Sequence, residues 1–222
     1  MLSAVTMRHF LMLACVSVGC MGTSGSPGGD DMQPDAGPVG GRCPMPVTSA
    51  DLGGLAATKA EMCNVSGSMG QAHWYKLAAA MPGTMDYVQV ELWDNIGVFA
   101  GGPVHTGTFT ITGNEATFAK CGVCVRGLGA KGTAGQKEYF ATGGTVTVTA
   151  VGGNGQPISA TLSNISFAEI DATTHNLVAN GCTASLAGAE IDGTVTQLGG
   201  SGGGTGGSGG TGTGACPVGI AD

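Results

Sequence analysis

Charge is scarce in this chain. Only 10% of its 222 residues are Asp, Glu, Lys or Arg, where roughly 25% is ordinary for a soluble domain. Its surface must therefore be built mostly from Thr, Ser, Asn and Gly. Clustered basic residues are lacking. Residues 43–198 hold six Lys/Arg against eleven Asp/Glu, a net of 6 − 11 = −5. Binding a phosphate backbone needs grouped Lys and Arg, so nucleic acid is not an expected partner. Long apolar runs are lacking too: the run over residues 10–18 is about half of the ~20 residues a membrane span needs, and no later segment is longer and apolar enough to cross a bilayer. Motifs that carry chemistry are missing: no nucleophile elbow at a strand-to-helix turn, no His-Glu-x-x-His, no Lys-bearing phosphate loop and no dinucleotide fingerprint following a strand. No cofactor and no metal site is expected.

What is present begins at the N-terminus. Arg8 and His9 precede the apolar stretch, which ends at Gly19-Cys20. A short positive region, a brief apolar core and a small residue at the cut site make an export signal. Ser17-Val18-Gly19-Cys20 resembles a bacterial lipobox, although Ser17 stands where Leu is usual; Met12-Leu13-Ala14-Cys15 is a second candidate with a shorter apolar core. The resemblance implies that residues 1–19 are removed and that Cys20 carries lipid on its thiol and amine. Met21, rather than Asp, after the cysteine implies the outer membrane or cell surface. Several acyl chains on one residue make a stable anchor, since each buried methylene adds roughly 0.8 kcal/mol. The membrane would then be a partner through the acyl anchor alone. Ordinary signal-peptide cleavage, giving a secreted soluble protein, is the alternative.

Two low-complexity tracts flank the middle of the chain. Residues 20–42 hold almost no large apolar side chain and cannot offset the entropy of ordering; a Gly-rich tether of that length spans roughly 25 Å and stretches to about 70 Å. Asp30, Asp31 and Asp35 there read as solvated linker charges rather than a calcium site. Residues 199–222, Gly-rich to 214, are expected to be disordered. The expected domain is 43–198.

Alternation of period two dominates from Asp86 onward. Val88, Val90 and Leu92 alternate with polar neighbours, as do Phe109 with Ile111 and Val146 with Val148. Along 158–167 the apolar parity switches near Asn164, and along 184–195 it switches near Gly188, which predicts bulges or bends. Short strands between Gly- and Asn-bearing turns predict an all-β, antiparallel sandwich or jelly-roll-like domain. A helix is expected over 52–62, with Ser49 as its cap.

Removing the signal and assigning Cys20 to lipid leaves Cys43, Cys63, Cys121, Cys124, Cys182 and Cys216, an even number that suggests disulfides in an exported chain. Cys121-Gly122-Val123-Cys124 is a tempting redox or zinc motif, but no βαβ unit and no further ligand pair accompanies it. If the segment is strand, an offset of three puts the thiols on opposite faces about 10 Å apart. The expectation is that Cys121 and Cys124 bond to Cys182 and Cys63, and that Cys43 pairs with Cys216.

Candidate site residues are few. Glu91 and Asp94 flank Trp93, a combination that suits stacking on a sugar ring beside two carboxylates. Glu169 and Asp171, on one strand face, form a second acidic pair. His73, His105 and His175 are far apart and read as structural or surface residues. Residues 139–149, 160–171 and 180–182 together resemble part of a β-rich domain of uncharacterised bacterial surface lipoproteins, a resemblance of about 60 residues that supplies no catalytic residue. The expected function is a non-enzymatic binding or structural module on the cell surface, recognising an unknown surface ligand or protein. A secreted glycan-active hydrolase on a sandwich scaffold is the alternative.

Overall fold

The computed structural model describes residues 43–45, 47–67, 70–84 and 86–202. The expected lipidation residue Cys20, the tether 20–42 and Cys216 lie outside these. Among the described residues, ten strands form one mixed sheet: β1 (Val47–Ala56), β2 (Lys59–Gly67), β3 (Gly70–Ala80), β4 (Tyr87–Trp93), β5 (Gly107–Thr110), β6 (Val123–Gly129), β7 (Lys137–Val151), β8 (Pro157–Ile170), β9 (Thr183–Thr194) and β10 (Thr196–Gly202). Among the described residues there is no α-helix, only a 3₁₀ turn at Gly97–Phe99. The order is β1-β9-β8-β7-β6-β4-β3-β2-β10, with β5 on the outer part of β7.

The all-β expectation holds, with two corrections. The protein is a single sheet curled into a half-barrel rather than an antiparallel sandwich. Its pairing is also mixed: β1 runs parallel to β9, and β10 runs parallel to β2. Only Ala57 and Thr58 separate β1 from β2, and only Val195 separates β9 from β10. The two parallel pairings are therefore successive parts of one seam. The Ala57 N–H donates to the Asp192 carbonyl of β9, and the Thr58 N–H donates to the Ala78 carbonyl of β3. The corner thus draws the two ends of the strand order together, which leaves less edge backbone open to other chains.

The predicted helix over 52–62 is absent; all of its residues but Ala57 and Thr58 belong to β1 and β2. Gly53 and Gly54 disfavour a helix. Strand pairing on both sides then decides the matter, since β1 finds β9 and β2 finds β3. Helix propensity is a weak prior that such tertiary pairing overrides.

Curling requires a crease. Buried residues on β7 pass from Tyr139 and Ala141 to Val146 and Val148, on β8 from Ile158, Ala160 and Leu162 to Ile165 and Phe167, and on β9 from Ala184 and Leu186 to Ala189 and Ile191. The parity changes at Gly143-Gly144, at Asn164 and at Gly188, the positions where the strands face one another. Asn164 has φ 51° and Gly144 φ 117°. A Cβ on Gly144 would lie 2.7 Å from the Asn164 carbonyl oxygen, so only glycine fits this bend. Because β8 and β9 switch together, their register continues unchanged across the crease. The residues inside the curve form the main core, from Leu77, Val90 and Val125 to Leu162 and Ile191.

Candidate functional site

Strands β3, β4 and β6 are buried on both faces. Their inward residues, Tyr75, Leu77, Val90, Leu92, Val123 and Val125, join the main core. Their outward residues form a second cluster in which Trp74, Trp93, Cys63, Cys121, Cys124, Phe140 and Ile170 pack together. Ionised and polar side chains are buried among them. Lys76 and Glu91 are fully buried and Arg126 is 3% exposed. A buried charge is tolerated only when countercharges and hydrogen bonds replace its water, so its partners define what the site can do.

Glu91 is the centre. Register places it opposite Lys76 on β3 and Cys124 on β6. Arg126 Nη1 donates to Glu91 Oε1 at 2.9 Å, and Gln89 Nε2 donates to the same oxygen at 2.7 Å. The Trp74 indole N–H reaches Oε2 at 3.3 Å. Arg126 also bridges to Glu138 on β7 at 3.0 Å. Lys76 lies 3.7 Å from Glu61 and 6.0 Å from the Trp74 ring centre. The two indoles sit 5.9 Å apart. On the far side, Arg126 stacks under Phe118 at 5.1 Å, and His175 lies flat on Phe118 at 4.0 Å. Burial first, and then the Arg126 charge, hold the His175 imidazole below its ordinary range.

The loops above this face are fastened by two more carboxylates. Asp94 accepts the backbone N–H groups of His73 (2.8 Å) and Val104 (2.7 Å) and contacts His73 Nδ1 at 2.9 Å. Glu115 accepts three backbone N–H groups, from Val98, Gly122 and Val123. Burial raises its pKa, and those three amides work in the opposite direction. Gly97, at φ 55°, packs directly against Glu115 and the Gly122 backbone, where a Cβ would collide with both.

Of the residues expected to make a ligand site, Glu91 and Trp93 share a face, while Asp94 has turned away into the loop connection. Each carboxylate is engaged by different protein donors, so the two do not converge on one substrate position. His105 lies apart, against Phe99 and Phe109. Glu169 and Asp171 also separate. Glu169 pairs with Lys137 and accepts the Cys182 N–H. Asp171 lies beyond the end of β8 and caps its own turn through Thr173 and Thr174, bonds that lower its pKa.

The expected disulfide pairing is corrected. Cys121 bonds to Cys124, and Cys43 bonds to Cys182. Strand β6 begins only at Val123, so Cys121 sits in the preceding turn and strand geometry does not separate the pair; their Cα atoms are 5.3 Å apart. Cys43 meets Cys182 because the parallel pairing of β1 with β9 brings the starts of both strands together. Both cysteines of this bridge are buried, which suits a staple for the 113–122 loop. Among the described residues no group of His, Cys, Asp and Glu is arranged to hold a metal ion.

Sequence reasoning missed Trp74, Lys76, Gln89, Arg126 and Glu138. The available signal was parity: Trp74 and Trp93 fall on the strand faces that alternation assigns to water. No family model, no curated protein and no solved structure matches this chain.

Proposed function

We propose that the protein is an exported lipoprotein, anchored by acylated Cys20, which displays a rigid β-domain as a binding or structural module at the outer membrane or cell surface. Residues 20–42 serve as the tether. The observation that carries the non-enzymatic reading is that Glu91, Asp94, Glu115 and Glu169 are each held by neighbouring donors within the domain. A general acid or base must reach a substrate proton instead. The Ser17–Cys20 motif supports the anchor, and the two described disulfides suit an oxidising compartment.

Metabolic labelling with a fatty-acid analogue tests the anchor. The wild-type chain should be labelled and Cys20→Ser should not. Equal labelling of both refutes it, and loss only in Cys15→Ser moves the anchor to that residue.

A further inference from the structure

We infer that the turn over 176–181 is a membrane-contact element, in which Leu177 and Val178 sit at the headgroup–acyl boundary of the bilayer that holds the Cys20 anchor. The step rests on the anchored reading above. Among the described residues the exposed large hydrophobic side chains are Val98, Leu177 and Val178. Single ones scattered over a surface are ordinary. Two of these three are adjacent, with Leu177 60% and Val178 38% exposed. Residues 176–181 read Asn-Leu-Val-Ala-Asn-Gly. The turn carries no charged side chain, so no ion has to leave water with the apolar pair.

The covalent path from the anchor selects this end of the domain. Whatever course residues 20–42 take, the chain enters the described domain at Cys43, and Cys43 is bonded to Cys182, four residues from Val178 (182 − 178). The entry point is fixed. Met45 is 1% exposed, and Cβ atoms on Gly127 and Gly129 would collide with Met45 and Pro44. The turn 152–156 lies at the other end of β8 (Pro157–Ile170), about 40 Å of strand away. A bilayer attached through Cys43 therefore meets 176–181 at an effective concentration far above that of a free vesicle. A contact too weak to recruit the domain by itself is then enough to orient it.

The turn is also built to enter an apolar boundary. Backbone groups taken out of water need partners, and those flanking the apolar pair have them. The Asp171 N–H donates to the Asn176 carbonyl, the Val178 N–H to the Glu169 carbonyl, and the Gly181 N–H to the Val178 carbonyl. Glu169 holds the base. Its carboxylate accepts the Cys182 N–H at 2.8 Å and two bonds from Lys137 Nζ at 2.9 Å, and its own N–H donates to the Cys182 carbonyl. Gly181 packs so closely that a Cβ there would lie 2.9 Å from the Val178 Cβ. Leu177 and Val178 thus project from a fixed base, and seating them in lipid requires little further ordering of the chain.

The acylated full chain, reconstituted into phosphatidylcholine vesicles with brominated acyl chains, tests the contact, because bromine quenches only an indole that reaches the acyl region. The two native tryptophans are buried, Trp74 fully and Trp93 to 5% exposure, and should keep their emission. Leu177→Trp should lose about half of its added emission relative to unbrominated vesicles, as a ring seated at the acyl boundary does. Gly153→Trp, in the opposite turn with open space around its Cβ, should lose none. Quenching at neither position, or at both, overturns the contact and leaves the anchor standing; a chain that carries no acyl group overturns both. Blue-shifted Leu177→Trp emission in vesicle-free Cys20→Ser protein would show the turn covered by a second copy of the chain, and overturns the contact as well. If Leu177→Trp does not fold, Val178→Trp is read in its place.

Discussion

Removing Arg126 should damage this domain more than removing any single surface charge. Its guanidinium bonds Glu91 at 2.9 Å and Glu138 at 3.0 Å and is 3% exposed. Arg126→Met keeps a long apolar stem but deletes the charge. Glu91 then retains the Gln89 amide and the Trp74 indole as donors, but its negative charge stays fully buried without the guanidinium. Breaking one side of a buried pair costs about 3–5 kcal/mol, because the remaining charge is left without compensation. For a domain of this length each kcal/mol lowers Tm by roughly 2–4 °C, so the fall should be on the order of 10 °C. Glu91→Gln combined with Arg126→Met removes both charges and keeps an amide that Gln89 and Trp74 can hold. The double variant should recover much of the loss, with a coupling of roughly 1–3 kcal/mol. Urea and thermal unfolding, followed by the fluorescence of the adjacent Trp74 without reductant, measure both. An Arg126→Met loss under about 1 kcal/mol, or a double variant as unstable as the sum of the singles, would show that the pair does not carry this face.

Two further outcomes follow from the same framework. Glu115 has a folded pKa above its ordinary 4.5, so the folded state holds its proton more tightly than the unfolded chain, and its contribution to stability declines as pH rises from 4.5 through the folded value. Glu115→Gln should flatten the stability–pH curve in that window, and an unchanged slope in unfolding titrations would contradict the assignment. The two described disulfides should differ in worth: Cys43–Cys182 spans 139 residues and Cys121–Cys124 only 3. On the loop-entropy model, replacing the first pair by Ser costs about 5 kcal/mol and the second about 2, so equal losses in denaturant titrations would place the effect in native contacts instead.

Much of the fold was legible where side-chain parity was decisive. The alternation of Val88, Val90 and Leu92, and the phase changes at Asn164 and Gly188, correspond to β4 and to the crease through β8 and β9. These signals are local, and the physics behind them is local: a strand buries every second side chain, and a bend changes which one. The parallel seam was not legible. It joins residues near 47–65 to residues near 185–202, and nothing in either stretch announces a partner so distant in sequence. The mistaken helix over 52–62 has the same origin, since Ala, Lys, Glu and Met are good helix formers until two neighbouring strands claim them. The CxxC expectation failed by two residues of strand boundary: Cys121 in a turn and Cys121 in a strand imply opposite bonding.

The candidate site shows a deeper ambiguity in alternation. Gln89, Glu91 and Trp93 alternate with Val88, Val90 and Leu92, and by composition the first set belongs to water. Yet a strand with polar residues on one side has two solutions, a solvated face or a face where charges are matched in pairs and covered. Composition separates them only weakly, but large aromatics on the nominally wet parity separate them better, because an exposed indole gains nothing from its apolar area. Here both tryptophans fall on that parity, Trp74 with Lys76 on β3 and Trp93 with Glu91 on β4, directly opposite each other in register. Each strand thus combines an aromatic step with a charged step, an arrangement that retains buried ions only if donors arrive from neighbouring strands. Arg126 on β6 and the Trp74 indole on β3 are those donors, beside Gln89 on β4 itself, and Arg126 is not identifiable as one until β4 and β6 are known to be adjacent.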